Sequence, residues 1–261
     1  GLAISLPLGS VALVQVDPEL FLVLFIAPLL FDESRHVPLA SMARHWRPIA
    51  SLSLGLVVAT ALAVGVALHA VLPTVPLAAA IALGGAVAPT DAAAVYALSR
   101  DVAVTKRQDA ILSAESLFND ASGVVTFQFA VAAAVTGSFS AAEVSVAFAV
   151  TFAGGLAVGA LMGLAGALVL RALGSTGLES TTAHVAFEVL TPFLVYLVAG
   201  ELGVSGILAV VAAGIVMAAM PERRTPARAR MRLVSSNVWE FVTFIINGVV
   251  FVILGMELPR A

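Results

Sequence analysis

Residues 109–136 read DAILSAESLFNDASGVVTFQFAVAAAVT. The run is apolar enough, and longer than the roughly 20 residues a helix needs, to cross a bilayer. Yet it carries Glu115, Ser116, Asn119 and Asp120 within two turns. At about 100° per residue these four span an arc of roughly 140°, so one helix face offers two carboxylates, an amide and a hydroxyl. Charges in hydrocarbon are costly and are usually paired or functional. The donors are hard oxygens without His or Cys, which suits a proton or a weakly held alkali cation rather than a transition metal. The plainer alternative is that the cluster caps a helix start.

The composition agrees with a membrane setting. Of 261 residues 61% are apolar and 11% charged, and mean hydropathy is +1.07. Soluble domains are nearer half apolar and about a quarter charged. A soluble enzyme, a disordered regulator and a nucleic-acid binder are excluded. There is no cysteine, hence no disulfide framework and no thiolate ligand.

Nine apolar segments follow in order: about 1–13, 19–31, 48–70, 76–98, 109–136, 144–171, 183–200, 204–220 and 234–258. They predict an all-α polytopic membrane protein. Segments 183–200 and 204–220 form either one bent hairpin or two short spans. Twelve of the 13 Lys and Arg fall in alternate loops, after the second, fourth, sixth and eighth segments; Arg260 alone sits opposite. Short cytoplasmic loops carry the Lys/Arg excess, so this face is predicted to be cytoplasmic. Gly1 opens directly on an apolar run, and the chain stops just after another. Missing helices are therefore expected at both ends.

A second feature is Gly84-Gly-Ala-Val-Ala-Pro89-Thr90-Asp91. Proline removes a backbone donor and crowds the preceding turn. In mid-span, with Thr90 and Asp91 beside it, this predicts a helix broken around Pro89-Thr90. Unwound backbone in a membrane is tolerated where it lines a cavity or is buried in protein, and transporters bind ions at such breaks. The plainer reading is a proline kink with local bonding. Asp32 and Glu33, beside Arg35, read as interface residues; Glu188 and Glu201 read equally as pairing, packing or capping residues and as transport residues; His69 and His184 read as interfacial. Glu240 and Asn247 share a face of the last segment. Gly155, Gly159 and Gly163 form a stripe that predicts close helix packing.

These motifs resemble a known family. Leu24-Phe-Ile-Ala-Pro28-Leu-Leu-Phe31-Asp32, Gly85-Ala-Val-Ala-Pro89-Thr90-Asp91 and Ala114-Glu115-Ser116-Leu117-Phe118-Asn119-Asp120 are similar, in order, to blocks of the NhaP-like cation:proton antiporters of the sodium/proton exchanger family. Thr191-Pro-Phe-Leu-Val-Tyr196, Val204-Ser205-Gly206 and Phe251-Val-Ile-Leu-Gly255 support the match. Pro-Thr-Asp departs from the commoner Thr-Asp-Pro order. The resemblance implies a thirteen-helix, inverted-repeat, homodimeric antiporter of the bacterial inner membrane, of which residues 1–261 form part. Within it, 48–136 would be half of the ion-transporting core, and 1–47 and 144–258 scaffold and dimerisation helices.

The resemblance further implies that Asp120 is the shared cation and proton carboxylate. Ser116 and Thr90 would add oxygen ligands to a monovalent cation, with Asn119 in the same site. Glu115, Asp91, Pro89 and Asp32 would support it. An arginine partner for Glu115 is expected beyond residue 261. No cofactor and no nucleic-acid partner is implied; the partners are sodium, lithium or potassium, protons and the bilayer. Asn119 beside Asp120, rather than a second Asp, predicts one titrating carboxylate and electroneutral exchange serving pH and sodium homeostasis. A potassium/proton antiporter with the same site, a transport-incompetent sensor or scaffold, and a channel are the competing readings. The isolated stretch is expected to be inactive.

Overall fold

A computed structural model describes residues 17–90, 105–136, 141–175, 180–220 and 226–257. The described residues form helices and no strands. Helix α1 runs from Pro18–Phe21 through a π-helical stretch, Leu22–Ile26, into Ala27–His36. Pro28 cannot donate to a carbonyl four residues back, and the wider turn upstream absorbs the mismatch: the Ala27 amide bonds to the Leu22 carbonyl, five residues back. Helix α2 (Leu39–Arg44) is a short piece of the connection. Helix α3 is continuous over Trp46–Val71, and α4 covers Leu77–Val87. The rest are α5 (Lys106–Thr136), α6 (Ala141–Ser175), α7 (Thr181–Glu201), α8 (Gly206–Ala219) and α9 (Pro226–Glu257).

Seven of the nine apolar segments coincide with described helices; 76–98 is matched over Leu77–Val87, with 91–98 outside the described residues, as 1–13 is. Among the described residues five helices are long and apolar enough to cross a membrane: α3, α5, α6, α7 and α9. The 183–220 stretch is two helices joined by a tight turn. Gly203 sits at φ 69°, and the Val204 amide returns 3.0 Å to the Ala199 carbonyl. A left-handed residue after a helix end is what glycine provides without steric cost.

Helix α8 is the hub. Ile207 to Gly214 are buried without a break, as expected of a helix apolar on every side. It packs on α1, α6 and α7. Lipid supplies no hydrophobic drive between helices, so small residues and close backbone approach hold them together. A Cβ on Gly155, Gly159 or Gly163 of α6 would collide, respectively, with the carbonyls of Ser205, the residue that caps α8, and of Ala209 and Ala213 within it. The constant offset makes α6 and α8 parallel, with two interlocking stripes of small residues. Gly214 lies against the Phe31 carbonyl and Ser34 of α1 in the same way.

Helices α3, α4 and α5 pack on one another. Gly65 receives Ile81, and Gly84 lies against the Ala61 backbone, so α3 and α4 run antiparallel. Helix α5 also faces the larger core through Ala114, Leu117, Ala121 and Val125. It is therefore shared by both groups of helices.

Candidate cation site

The start of α5 is fixed by its own residues. Thr105 and Gln108 form a reciprocal cap: the Gln108 amide donates to Thr105 Oγ1 at 3.3 Å, and the Thr105 amide donates to Gln108 Oε1 at 3.0 Å. Glu115 lies ten residues on, about 15 Å along the axis at 1.5 Å per residue. The polar cluster is therefore not a helix cap. It sits inside the span.

Opposite it, α4 ends at Val87, and Ala88, Pro89 and Thr90 are non-helical. Helix α4 thus stops just before Pro89-Thr90, and the other side of the predicted break lies outside the described residues. Asp91 lies outside the described residues. Two glycines bring the broken end close to α5. A Cβ on Gly123 would strike the Pro89 ring, and one on Gly85 would lie 3.1 Å from the Phe127 amide nitrogen.

Thr90 is then tied to α5 by side chains. Asn119 Nδ2 donates to Thr90 Oγ1 at 2.8 Å and to Glu115 Oε1 at 2.7 Å. It also lies 3.3 Å from the Thr90 carbonyl. Thr90 Oγ1 donates to Glu115 Oε1 at 3.3 Å. Glu115 and Asn119 are buried, at 7% and 1% exposure. Among the described residues no basic side chain pairs with Glu115. A buried carboxylate without a cation needs its hydrogen bonds, and Thr90 and Asn119 supply them. The Asn119 Oδ1 is buried with no partner.

Ser116 is buried beside this triad on α5, and Asp120, one turn on, is half-buried. Thr90, Glu115 and Asn119 are thus in mutual contact, with Ser116 and Asp120 on the same arc of helix. Asp32 is placed elsewhere, near the end of α1, 4.0 Å from His36. Among the described residues no three His, Asp or Glu side chains converge as a divalent-metal site would require. The arrangement is the end of α4, with Thr90, held against a carboxylate-bearing helix inside a small-residue bundle. It can offer oxygen ligands, and a proton acceptor, at membrane depth.

A charged cluster went unread in the sequence. Glu188 of α7 accepts from Arg35 Nη2 at 3.3 Å, is 3.2 Å from His184 Nε2, and accepts from Ser235 Oγ of α9. Only the i,i+4 spacing of His184 and Glu188 signalled it. Arg35 is 153 residues away, beyond the reach of pattern reading.

The class is thus a polytopic helical membrane protein with a polar cluster where the end of α4 meets α5. The chain matches the family described as "Sodium/hydrogen exchanger, transmembrane" over residues 1–261, and belongs to it. It is similar to a "Sodium, potassium, lithium and rubidium/H(+) antiporter" of Bacillus pumilus, 45% identical over 94% of this chain and 37% of that protein. An uncharacterized Na(+)/H(+) exchanger of Escherichia coli is 39% identical, over 94% of this chain and 45% of its own. The Na(+)/H(+) antiporter ApNhaP of Aphanothece halophytica is 28% identical, over 98% and 48%. The chain therefore spans less than half the length of these relatives.

Proposed function

We propose that the protein containing this chain exchanges a monovalent cation for protons by alternating access, acting as a secondary transporter and not an enzyme. The observation that carries the reading is the contact of the Thr90 break with Asn119 and Glu115, on the helix face that bears Ser116 and Asp120. Asp120 is the carboxylate that holds either a proton or the cation. Ser116 and Thr90 add neutral oxygens, and Asn119 and Glu115 hold the broken end in register. Pro89 makes the break, and Asp91 supports it. Asp32 plays its supporting part from α1.

Competition at one carboxylate gives the coupling. Burial favours the protonated form, and a bound cation favours the ionised one. With Asn119 rather than a second acid beside Asp120, one cation replaces one proton, and exchange is electroneutral. Residues 48–136 form half of the moving core; 1–47 and 144–258 form the scaffold and the homodimer contact. The packing of α3 and α4 on α5, and of α1, α6 and α7 on α8, supports that division. The basic loops face the cytoplasm, the membrane is the cell membrane, and the role is pH and sodium homeostasis. The names of the Bacillus relatives favour a broad alkali-cation range that includes potassium.

The test uses the full-length protein in proteoliposomes with an internal pH dye. Sodium, lithium and potassium are added in turn, with and without an imposed voltage. Proton movement that follows the cation gradient and ignores voltage is expected. A voltage-dependent current contradicts electroneutrality, and no response to any cation favours a sensor or scaffold.

A further inference from the structure

The connection between α1 and α3 carries a basic surface without acids. Residues 37–50 read VPLASMARHWRPIA, with two arginines and no carboxylate. Arg44 ends α2 and Arg47 lies in the first turn of α3, and both are exposed. Helix α2 and the first turn of α3 pack on α5. Met42 and Ile49 join the same apolar cluster as Ile111 and Ala114 of α5. The exposed Arg107, about one turn before Ile111, therefore stands at the level of the connection. In the sequence, Lys106 adds a further basic residue to this end of α5, and Asp109 one acid. Among the described residues no carboxylate pairs with Arg44, Arg47 or Arg107. Arg35, by contrast, pairs with Glu188, and Arg171 and Arg232 have contacts of their own.

The surface is laid out as a membrane–water boundary. Trp46 opens a span of 26 residues and is 60% exposed. Tryptophan collects where a span leaves the hydrocarbon, with its ring among the headgroups. The Arg47 guanidinium lies over that ring, 5.5 Å from its centroid, and the stack holds the charge beside the indole. Helix α3 opens without a side-chain cap, because His45 Nδ1 lies 2.9 Å from the Ser41 carbonyl instead. Its first amides add partial positive charge next to the arginines. Below them Leu52 and Leu56 of α3 are exposed. This apolar track starts about 8 Å deeper than Arg47, at 1.5 Å per residue. A soluble anion would use the basic part alone; a lipid uses both.

We propose that Arg44, Arg47 and Arg107, with Trp46 beside them, hold the headgroup of an anionic phospholipid whose acyl chains lie along Leu52 and Leu56. Guanidinium groups meet phosphate oxygens through paired hydrogen bonds. Basic pockets between spans at the membrane surface are suited to such headgroups. A zwitterionic lipid brings its own cation to the arginines and gains less. The lipid joins the α1–α3 connection to the start of α5, which the chain places 60 residues apart, from Arg47 to Arg107. The docking site is separate from the Thr90–Asn119 cluster. It depends neither on what the protein carries nor on which side of the membrane the basic loops face.

The test measures lipid binding to the full-length protein in neutral detergent by native mass spectrometry, with phosphatidylglycerol, phosphatidylcholine and inorganic phosphate as probes. The parent is expected to bind phosphatidylglycerol in preference to phosphatidylcholine. Each arginine contributes about fivefold to that preference. The triple variant Arg44→Gln, Arg47→Gln, Arg107→Gln is therefore expected to lose about 100-fold in phosphatidylglycerol affinity and to bind phosphatidylcholine as before. Arg230→Gln, at an exposed position on α9, is expected to stay within about twofold of the parent. Equal binding of the two lipids by the parent overturns the docking site, as does a triple variant that keeps the parent's affinity. An Arg230→Gln loss as large as the triple variant's overturns it too, because surface charge in general is then at work. Inorganic phosphate that displaces the lipid as readily as free phosphatidylglycerol does moves the site to a soluble anion and overturns the lipid. If the triple variant does not fold, amide exchange of the parent in nanodiscs decides. Slower exchange over residues 39–47 with phosphatidylglycerol than with phosphatidylcholine supports the docking site, and equal exchange overturns it.

Discussion

Asn119 is expected to be the costliest single loss in the cation site. Asn119→Ala removes one hydrogen bond to a hydroxyl, 2.8 Å, and one to a buried carboxylate, 2.7 Å. In water-soluble proteins a neutral bond contributes about 1 kcal/mol and a charged one about 1.5–3. Within membranes measured couplings are smaller, averaging about 0.6 and reaching about 1.7 kcal/mol. The Thr90 bond belongs near the first figure and the Glu115 bond near the second. Their sum is about 2 kcal/mol, roughly 30-fold in the population of the docked break. Thr90→Val removes part of the same network and is expected to cost about 1 kcal/mol. Because the pair is in contact, the double variant should cost less than the sum, by about 0.5 kcal/mol or more. Reversible unfolding of the full-length protein in bicelles reads the cycle, and the cation half-saturation of proton exchange reads the site. Strict additivity, or an Asn119→Ala cost below about 0.3 kcal/mol, would refute the tether between Thr90 and α5.

Four further outcomes follow from the structure. Gly159→Ala puts a methyl into the Ala209 carbonyl, so the α6–α8 contact must open; a loss of about 1–3 kcal/mol is expected, read by thermal unfolding. Gly200→Ala meets nothing within 4 Å and is expected to be neutral or stabilising by up to about 1 kcal/mol on the same assay. Gly123→Ala drives a methyl into the Pro89 ring; it should displace the break, raising the cation half-saturation more than it lowers thermal stability. Gln108→Ala opens the cap of α5 and is expected to cost about 1 kcal/mol, with faster amide exchange confined to the first turn and the cation response kept.

The spans were legible because twenty-residue apolar runs have few other uses. The end of α4 before Pro89 and the Gly155-Gly159-Gly163 contact were legible too, since each rests on a local property: a missing amide and a missing Cβ. Long-range partners were not. Nothing in the spacing says that Thr90 bonds Asn119, 29 residues on, because that contact depends on how the broken end folds back. Glu188 read as an ordinary polar residue, and Arg35 as a loop charge. Only the crossing of α1, α7 and α9 makes them a pair. The turn at Gly203 settled the hairpin question through its positive φ, which sequence marks as permitted but not as used.

The central claim is that one carboxylate, Asp120, holds a proton or a cation in turn. The most direct measurement adds sodium, then potassium, to the full-length protein in weakly buffered detergent solution and records proton release by a pH indicator alongside cation binding by calorimetry. About one proton released per cation bound, with both lost in Asp120→Asn, is the predicted result. Proton release that persists in Asp120→Asn, or cation binding without release in the parent, would contradict it.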